Sequence, residues 1–162
     1  MDVMAFTYTH SPGVTNKLLS DATIRFNNNE IIVRALWDTG ATRTCISKDV
    51  VSSLGLTPVG KQQIHTPSGV STANTYQLDI LLPNNVMALN IVVFDSEIGT
   101  QGIGALIGMD IINQGDFAVS NYNGTTVFTF RIPSQKRTDY VVEARLQKAI
   151  GPIHGKGKRK KK

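Results

Sequence analysis

Apolar residues in this chain recur mainly at alternate positions, in short runs separated by asparagine, glycine and proline. Alternation over a handful of residues, bounded by turn formers, is the pattern of half-buried strands. KLLSDATIRF (residues 17–26) and EIIVRALW (30–37) fit it, with Asn27, Asn28 and Asn29 between them. Asparagine tolerates the left-handed backbone, so a hairpin is predicted there. KQQIHTPSGVSTANTYQLDILL (61–82) reads as two strands around a tight turn at Thr66, Pro67, Ser68 and Gly69. Proline sets φ at the second position of that turn, and glycine accepts a positive φ at the fourth. VMALNIVVF (86–94) reads as another strand, entered from Pro83, Asn84 and Asn85. FAVSNYNGTTVFTFRI (117–132) reads as a last hairpin turning at Asn123-Gly124, a dipeptide characteristic of two-residue turns.

Two segments break the alternation. In SKDVVSSLGL (47–56), Ser47 suits an N-cap, Asp49 a first turn and Gly55 a stop, which predicts a short helix. GALIGMDIINQGD (104–116) reads as a buried strand running into a short helix that ends near Gly115. No internal repeat is visible. Many short strands with turn signals between them predict a mostly β chain: a closed or nearly closed barrel with one or two short helices. The strand signal covers residues 18–133, with an N-terminal segment before it (1–17). After Pro133 the character changes. Residues 134–150 could form a short helix with Tyr140, Val141, Ala144 and Lys148 roughly on one face, and 151–162 is a glycine-broken basic tail expected to be disordered.

Composition narrows the function classes. With 162 residues, 41% of them hydrophobic, the chain can bury a core, yet no apolar run is long enough to span a bilayer. The opening MDVMAFTYTHSPG has neither a basic start nor an apolar stretch of signal length, so a cytoplasmic protein without membrane contact is expected. The single cysteine, Cys45, allows no intrachain disulfide. His10, His65 and His154 stand at no metal-ligand spacing, so neither a metal site nor another cofactor is expected. The net charge of +5 is unevenly placed: residues 1–133 carry seven basic and ten acidic side chains, whereas 134–162 carry ten basic and two acidic. The tail could make weak, non-specific contacts with nucleic acid or serve only to solvate the chain.

The candidate chemistry lies in LWDTGATRTC (36–45). A D-T-G tripeptide alone is a common turn sequence. Here it follows an apolar strand, which brings Asp38 near the interior, and small residues, Gly40 and Ala41, leave room for another backbone to approach. A second apolar strand, broken by Gly108, comes later in ALIGMDII. Three segments, ALWDTGAT (35–42), HTPSGVSTANTY (65–76) and ALIGMDII (105–112), together resemble the retropepsin-type aspartic proteases in order and spacing.

The resemblance implies a retropepsin-like barrel in which Asp38 is the catalytic aspartate and Thr39 hydrogen-bonds across a dimer axis. It implies that Gly40 offers its backbone to substrate and Ala41 lines a subsite wall. Ser68, Gly69 and Val70 would form the tip of a flap over the bound peptide, and Gly108 would lie where two loops cross beneath the site. Metal-free hydrolysis of a peptide by activated water needs a base and a proton donor, and two close carboxylates sharing one proton supply both. No other aspartate here is followed by Thr-Gly or Ser-Gly, so one chain holds half a site. A homodimer follows, with one Asp38 from each copy, acting as an aspartic endopeptidase on an extended peptide substrate.

The chain also departs from the viral pattern. Viral members carry an acid at the position of Thr42 and an arginine at that of Met109, which pair; both charges are absent here. That absence places the chain nearer the cellular and bacterial relatives. Asp110 is then expected to be structural, hydrogen-bonded to Thr44 or nearby backbone. The flap holds one glycine, Gly69, and Pro67 should stiffen it, narrowing or slowing substrate entry. Trp37 is read as a core or interface aromatic or, alternatively, as a pocket wall; Cys45 as a small buried hydrophobe; and His65 as a solvated strand residue. Two other functions fit the same segments: a non-catalytic peptide-binding or dimerisation module on this fold, and a barrel scaffold for a nucleic-acid-binding basic tail.

Overall fold

The computed structural model describes residues 2–66 and 69–150. The turn residues Pro67 and Ser68, and the tail 151–162 for which disorder is expected, lie outside the described residues. The elements in chain order are β1 (Met4–Thr9), β2 (Leu18–Phe26), β3 (Asn29–Trp37), β4 (Cys45–Ser47), α1 (Lys48–Leu54), β5 (Gly60–Thr66) and β6 (Gly69–Leu81). They continue with β7 (Met87–Ser96), β8 (Ala105–Ile107), α2 (Met109–Ile112), β9 (Asp116–Ser120), β10 (Val127–Ile132) and α3 (Tyr140–Ile150).

Alternation builds the barrel. β2 buries Ser20, Ala22 and Ile24 on one face, and the other strands add Ile46, Ile80, Val93 and Ile107 to the same core. The sheet runs β2-β3-β8-β4-β7-β6, and Thr23, Ile24 and Arg25 pair with Leu81, Ile80 and Asp79 to bring β6 back to β2. The result is a closed barrel of six strands, the mostly β architecture expected from the sequence. Closure leaves no exposed sheet edge within the ring. β5 stands outside it, paired only with β6, so the β5–β6 hairpin projects from the barrel as a two-stranded arm.

The turns predicted at the asparagines are present, among them Pro83–Asn85. Asn27 takes φ 54° between β2 and β3, and Asn123 and Gly124 take positive φ between β9 and β10. Helix α1 is capped as its sequence suggests: Ser47 Oγ accepts from the Val50 N–H at 3.3 Å, and Gly55 closes it in the left-handed region. β4 had no strand signal, because its three residues are all buried and offer no alternation to read. The strand signal begins at residue 18, but the structure adds a strand before it. β1 pairs with β10 from Met4↔Ile132 to Thr9↔Val127, and β10 pairs on its other side with β9. Only Phe6 of β1 is buried, too little for a period to show in the sequence.

This three-stranded sheet carries an aromatic seam. Phe6, Phe128 and Phe130 place their rings 5.5, 5.6 and 5.2 Å from that of Trp37, the last residue of β3. Phe117 stacks on the indole at 5.5 Å with the planes 5° apart. Beyond β10, Asp116 ties down the departing chain: its carboxylate accepts from Arg131 Nε at 2.9 Å, from the Gln135 N–H at 2.8 Å and from the Ser134 hydroxyl. Those donors, the Gln135 N–H foremost, hold the Asp116 carboxyl well below the usual carboxylate range. The helix expected in 134–150 is α3, whose first turn is capped by Asp139 and whose eleven residues are all exposed.

The seam makes β1 integral to the domain. Phe6→Ala should lower the free energy of unfolding by about 3 kcal/mol, the usual cost of emptying a buried aromatic site. Ile32→Ala, at a side chain 73% exposed, should change it by less than about 0.5 kcal/mol. Urea denaturation of the two variants checks the contrast; equal small effects would mean that β1 is dispensable.

Candidate active site

The position of Asp38 follows from strand direction. β3 and β8 are parallel and in register, with Trp37 beside Ile107, so residues 38 and 108 leave the barrel at the same end. The Asp38 N–H donates to Ile107 O at 3.0 Å, which continues the ladder one step past the strand. β4 lies on the far side of β8, with Cys45 opposite Leu106, so the chain must cross the end of β8 between residues 38 and 45. Met109 N–H donates to Ala41 O at 2.8 Å under that crossing.

Gly108 lies at the point of closest approach. A Cβ there would sit 2.6 Å from Arg43 C and 2.7 Å from Arg43 O, both backbone atoms that cannot swing away. Thr44 and Asp110 complete the underside. The buried Thr44 hydroxyl accepts from the Gly108 N–H at 3.1 Å and donates to Asp110 Oδ1 at 2.6 Å. Both Asp110 oxygens accept from the Thr44 N–H at 2.9 Å. The hydrogen bond expected between Asp110 and Thr44 is therefore present, and Asp110 serves as a brace. With Thr42 exposed and Met109 half-buried, this neutral and singly charged network takes the place of a cross-loop ion pair.

Above the crossing, Asp38 is half-buried, while Thr39 and Gly40 are exposed. Asp38 Oδ1 accepts from the Gly40 N–H at 2.8 Å, and Asp38 O accepts from the Ala41 N–H at 3.2 Å. One carboxylate oxygen is thus oriented by the loop; the other accepts no hydrogen bond among the described residues. The Thr39 hydroxyl likewise has no partner among them. Trp37 is core and not a pocket wall: it is 4% exposed, and its Nε1–H donates to the buried Ser20 Oγ at 2.9 Å. Cys45 is buried beside the loop. Burial foremost, with the charges of Asp110 and Asp38, pushes its thiol up to about 12, so it is no nucleophile near neutrality.

The β5–β6 arm faces this loop with one side only. The Arg43 guanidinium reaches from the loop to Gln62 Oε1 on β5, and its Nη2 donates to Val92 O on β7 at 3.3 Å. Cross-strand partners share a face, so Ala73, Ile64 and Ser71 lie on the same face as Gln62, which meets Arg43 of the Asp38 loop; Ile64, Ser71 and Ala73 also line a hollow with Lys48 and Asp95. His65 and Val70 form a pair on the opposite face, and both are exposed. Of the residues expected at the flap, Gly69 begins β6 with φ 125°, Val70 turns outward, and Ser68 lies outside the described residues. Solvation of His65 accords with its expected place. Nothing in the sequence marks Arg43, Gln62 or Ile64: KQQIHT has a single apolar residue, and only the pairing of β5 with β6 and the Arg43 contact show which of its residues share a face with Gln62.

Comparisons with known proteins bear on the family and the fold. A family model described as aspartyl protease matches residues 22–111, which include Asp38, the arm and Gly108. No curated protein sequence matches the chain. Among solved structures, a retropepsin-like aspartic protease from Rickettsia conorii superposes with a TM-score of 0.53 at 16% identity, covering 81% of this chain and 94% of that one. The retroviral protease-like domain of a Leishmania major protein gives 0.44 at 16% identity, covering 71% and 95%. Simian foamy virus protease gives 0.43 at 22% identity, covering 59% and 92%.

Two measurements test the local reading. Gly108→Ala should destabilise the fold by about 2 kcal/mol, because the backbone above it must move; an unchanged urea midpoint would contradict the close crossing. At about pH 8, the Cys45 thiol of the native chain should resist a soluble disulfide reagent and react only when denaturant unfolds it. Matching the family model over more than half its length and sharing the barrel of the Rickettsia enzyme, the chain belongs to the aspartyl protease family and has the retropepsin-like fold.

Proposed function

We propose that the chain is an aspartic endopeptidase that works as a homodimer, with one Asp38 from each copy at a two-fold axis. The observation that carries this reading is the state of Asp38: half-buried, oriented by the Gly40 N–H through one oxygen, and otherwise uncommitted. The other acid of the crossing, Asp110, is fully engaged with Thr44 and Ile111. A second copy supplies the missing carboxylate, and it also offers a partner for the exposed Thr39 hydroxyl.

The chemistry follows from placing two carboxylates together. Both cannot ionise cheaply at close range, so they hold one proton between them, and the titration belongs to the pair. The charged member takes a proton from water as that water attacks the scissile carbonyl carbon. The neutral member donates a hydrogen bond to the carbonyl oxygen and then stabilises the tetrahedral intermediate. A proton passes to the leaving nitrogen as the C–N bond breaks. The Asp38–Gly40 hydrogen bond keeps the oxygens in place through these steps, since a rotating carboxylate would lose the pairing geometry. An extended peptide would lie between the loop and the face of the arm that carries Gln62, Ile64 and Ser71.

Asp38→Asn should lower kcat/KM for peptide cleavage by at least about a thousandfold while leaving the fold intact. Mixing decides the dimer. An excess of the Asp38→Asn chain should suppress the activity of the wild-type chain, because most pairs formed then lack one carboxylate. Wild-type activity that is unmoved by the excess would mean that a single chain holds the whole site.

A further inference from the structure

We infer that Arg43 is a specificity determinant that makes the groove select peptides with an acidic side chain near the cleaved bond; this rests on the peptidase reading above. The loop that presents Asp38 carries this one basic residue before Thr44. Its side chain does not leave for solvent. It is half-buried and turned toward the inward face of the arm, where it meets Gln62. The space between loop and arm is the space a substrate must occupy, so the guanidinium borders the groove.

The charge of Arg43 is not neutralised. Ion pairs among the described residues engage Arg25, Arg34, Lys48, Arg131 and Arg137, but not Arg43. Its two acceptors among the described residues, Gln62 Oε1 and Val92 O, are neutral. A guanidinium presents five donors in a planar fork, so Nε–H and further N–H groups remain open to an incoming oxygen pair. A carboxylate matches that fork with two parallel charge-assisted bonds, whereas a side-chain amide of the same shape brings no charge. In a groove partly closed by the arm, the difference is larger than on open surface.

Symmetry sharpens the expectation. In a homodimer the two Arg43 side chains flank the axis on opposite sides, so acidic residues should be favoured at positions related by symmetry about the cleaved bond. An acid directly at that bond is not favoured, because the shared carboxylate pair repels it.

The test is a peptide library randomised on both sides of the cleaved bond, digested by the full chain and read by mass spectrometry. Glu and Asp should be enriched at one such pair of positions. A Glu peptide should then exceed its Gln counterpart in kcat/KM by about tenfold, the size of one charge-assisted hydrogen bond at a partly solvated site. Arg43→Gln should erase that ratio, Arg43→Lys should keep part of it, and Arg43→Glu should turn the preference toward Lys and Arg. A role confined to holding Gln62 and the arm would slow all peptides together and leave the ratio unchanged, and that result overturns the inference. Cleavage without any acidic preference overturns it too, while leaving the peptidase reading in place. If nothing is cut, the same library is selected for binding to the Asp38→Asn chain. Acidic enrichment that depends on Arg43 would then retain the determinant and discard the peptidase, and its absence would discard both.

Discussion

The structure depends on one crossing. Parallel pairing of β3 with β8 delivers residues 38 and 108 to the same end of the barrel, and the route to β4 then carries the chain over Gly108. Every feature of the candidate site is fastened there. Asp38 hangs from Ile107 O, Ala41 from the Met109 N–H, and Thr44 from Gly108 and Asp110. A loop held at so many backbone points has little freedom to wander, which is what a carboxylate needs if it is to meet a second one at close range.

Support comes from two sides of different character. Below Asp38, the aromatic seam clamps Trp37 between the barrel and the three-stranded sheet of β1, β9 and β10. This is dense, apolar packing with a single satisfied polar bond to Ser20, and it resists displacement. Above, the β5–β6 arm is a two-stranded projection joined to the barrel through β6, with its outer face solvated. Two-stranded hairpins are only marginally stable alone, so the arm is the less firmly held of the two sides. The Arg43 bridge ties the Asp38 loop to Gln62 on the arm and to Val92 on the barrel strand β7.

Much of this was legible in the residues. The D-T-G motif behind an apolar strand, the asparagine turns and the Ser47 cap rest on local chemistry, which is written in neighbouring residues; the Asp110 bond to Thr44 spans 66 positions and was expected only from the family resemblance. The elements that escaped are the ones without a local period. β4 is too short and too buried to alternate, and β1 shows one buried aromatic among six residues. Val70, expected beside Gly69 at the flap tip, pairs with His65 one position along from the pair that Ile64 makes with Ser71, a register that no local signal gives.

The sequence by itself determined the longer strands, the asparagine turns, the Ser47 cap and the one D-T-G motif that marks a candidate carboxylate, because those depend on backbone preference and on the chemistry of neighbouring residues. Tertiary structure decided which face of the arm meets the loop, that β1 completes the sheet beneath Trp37, and that Arg43 turns inward with only neutral partners. These are relations between segments far apart in the chain. They are settled by strand register and barrel closure, which no short window of residues contains.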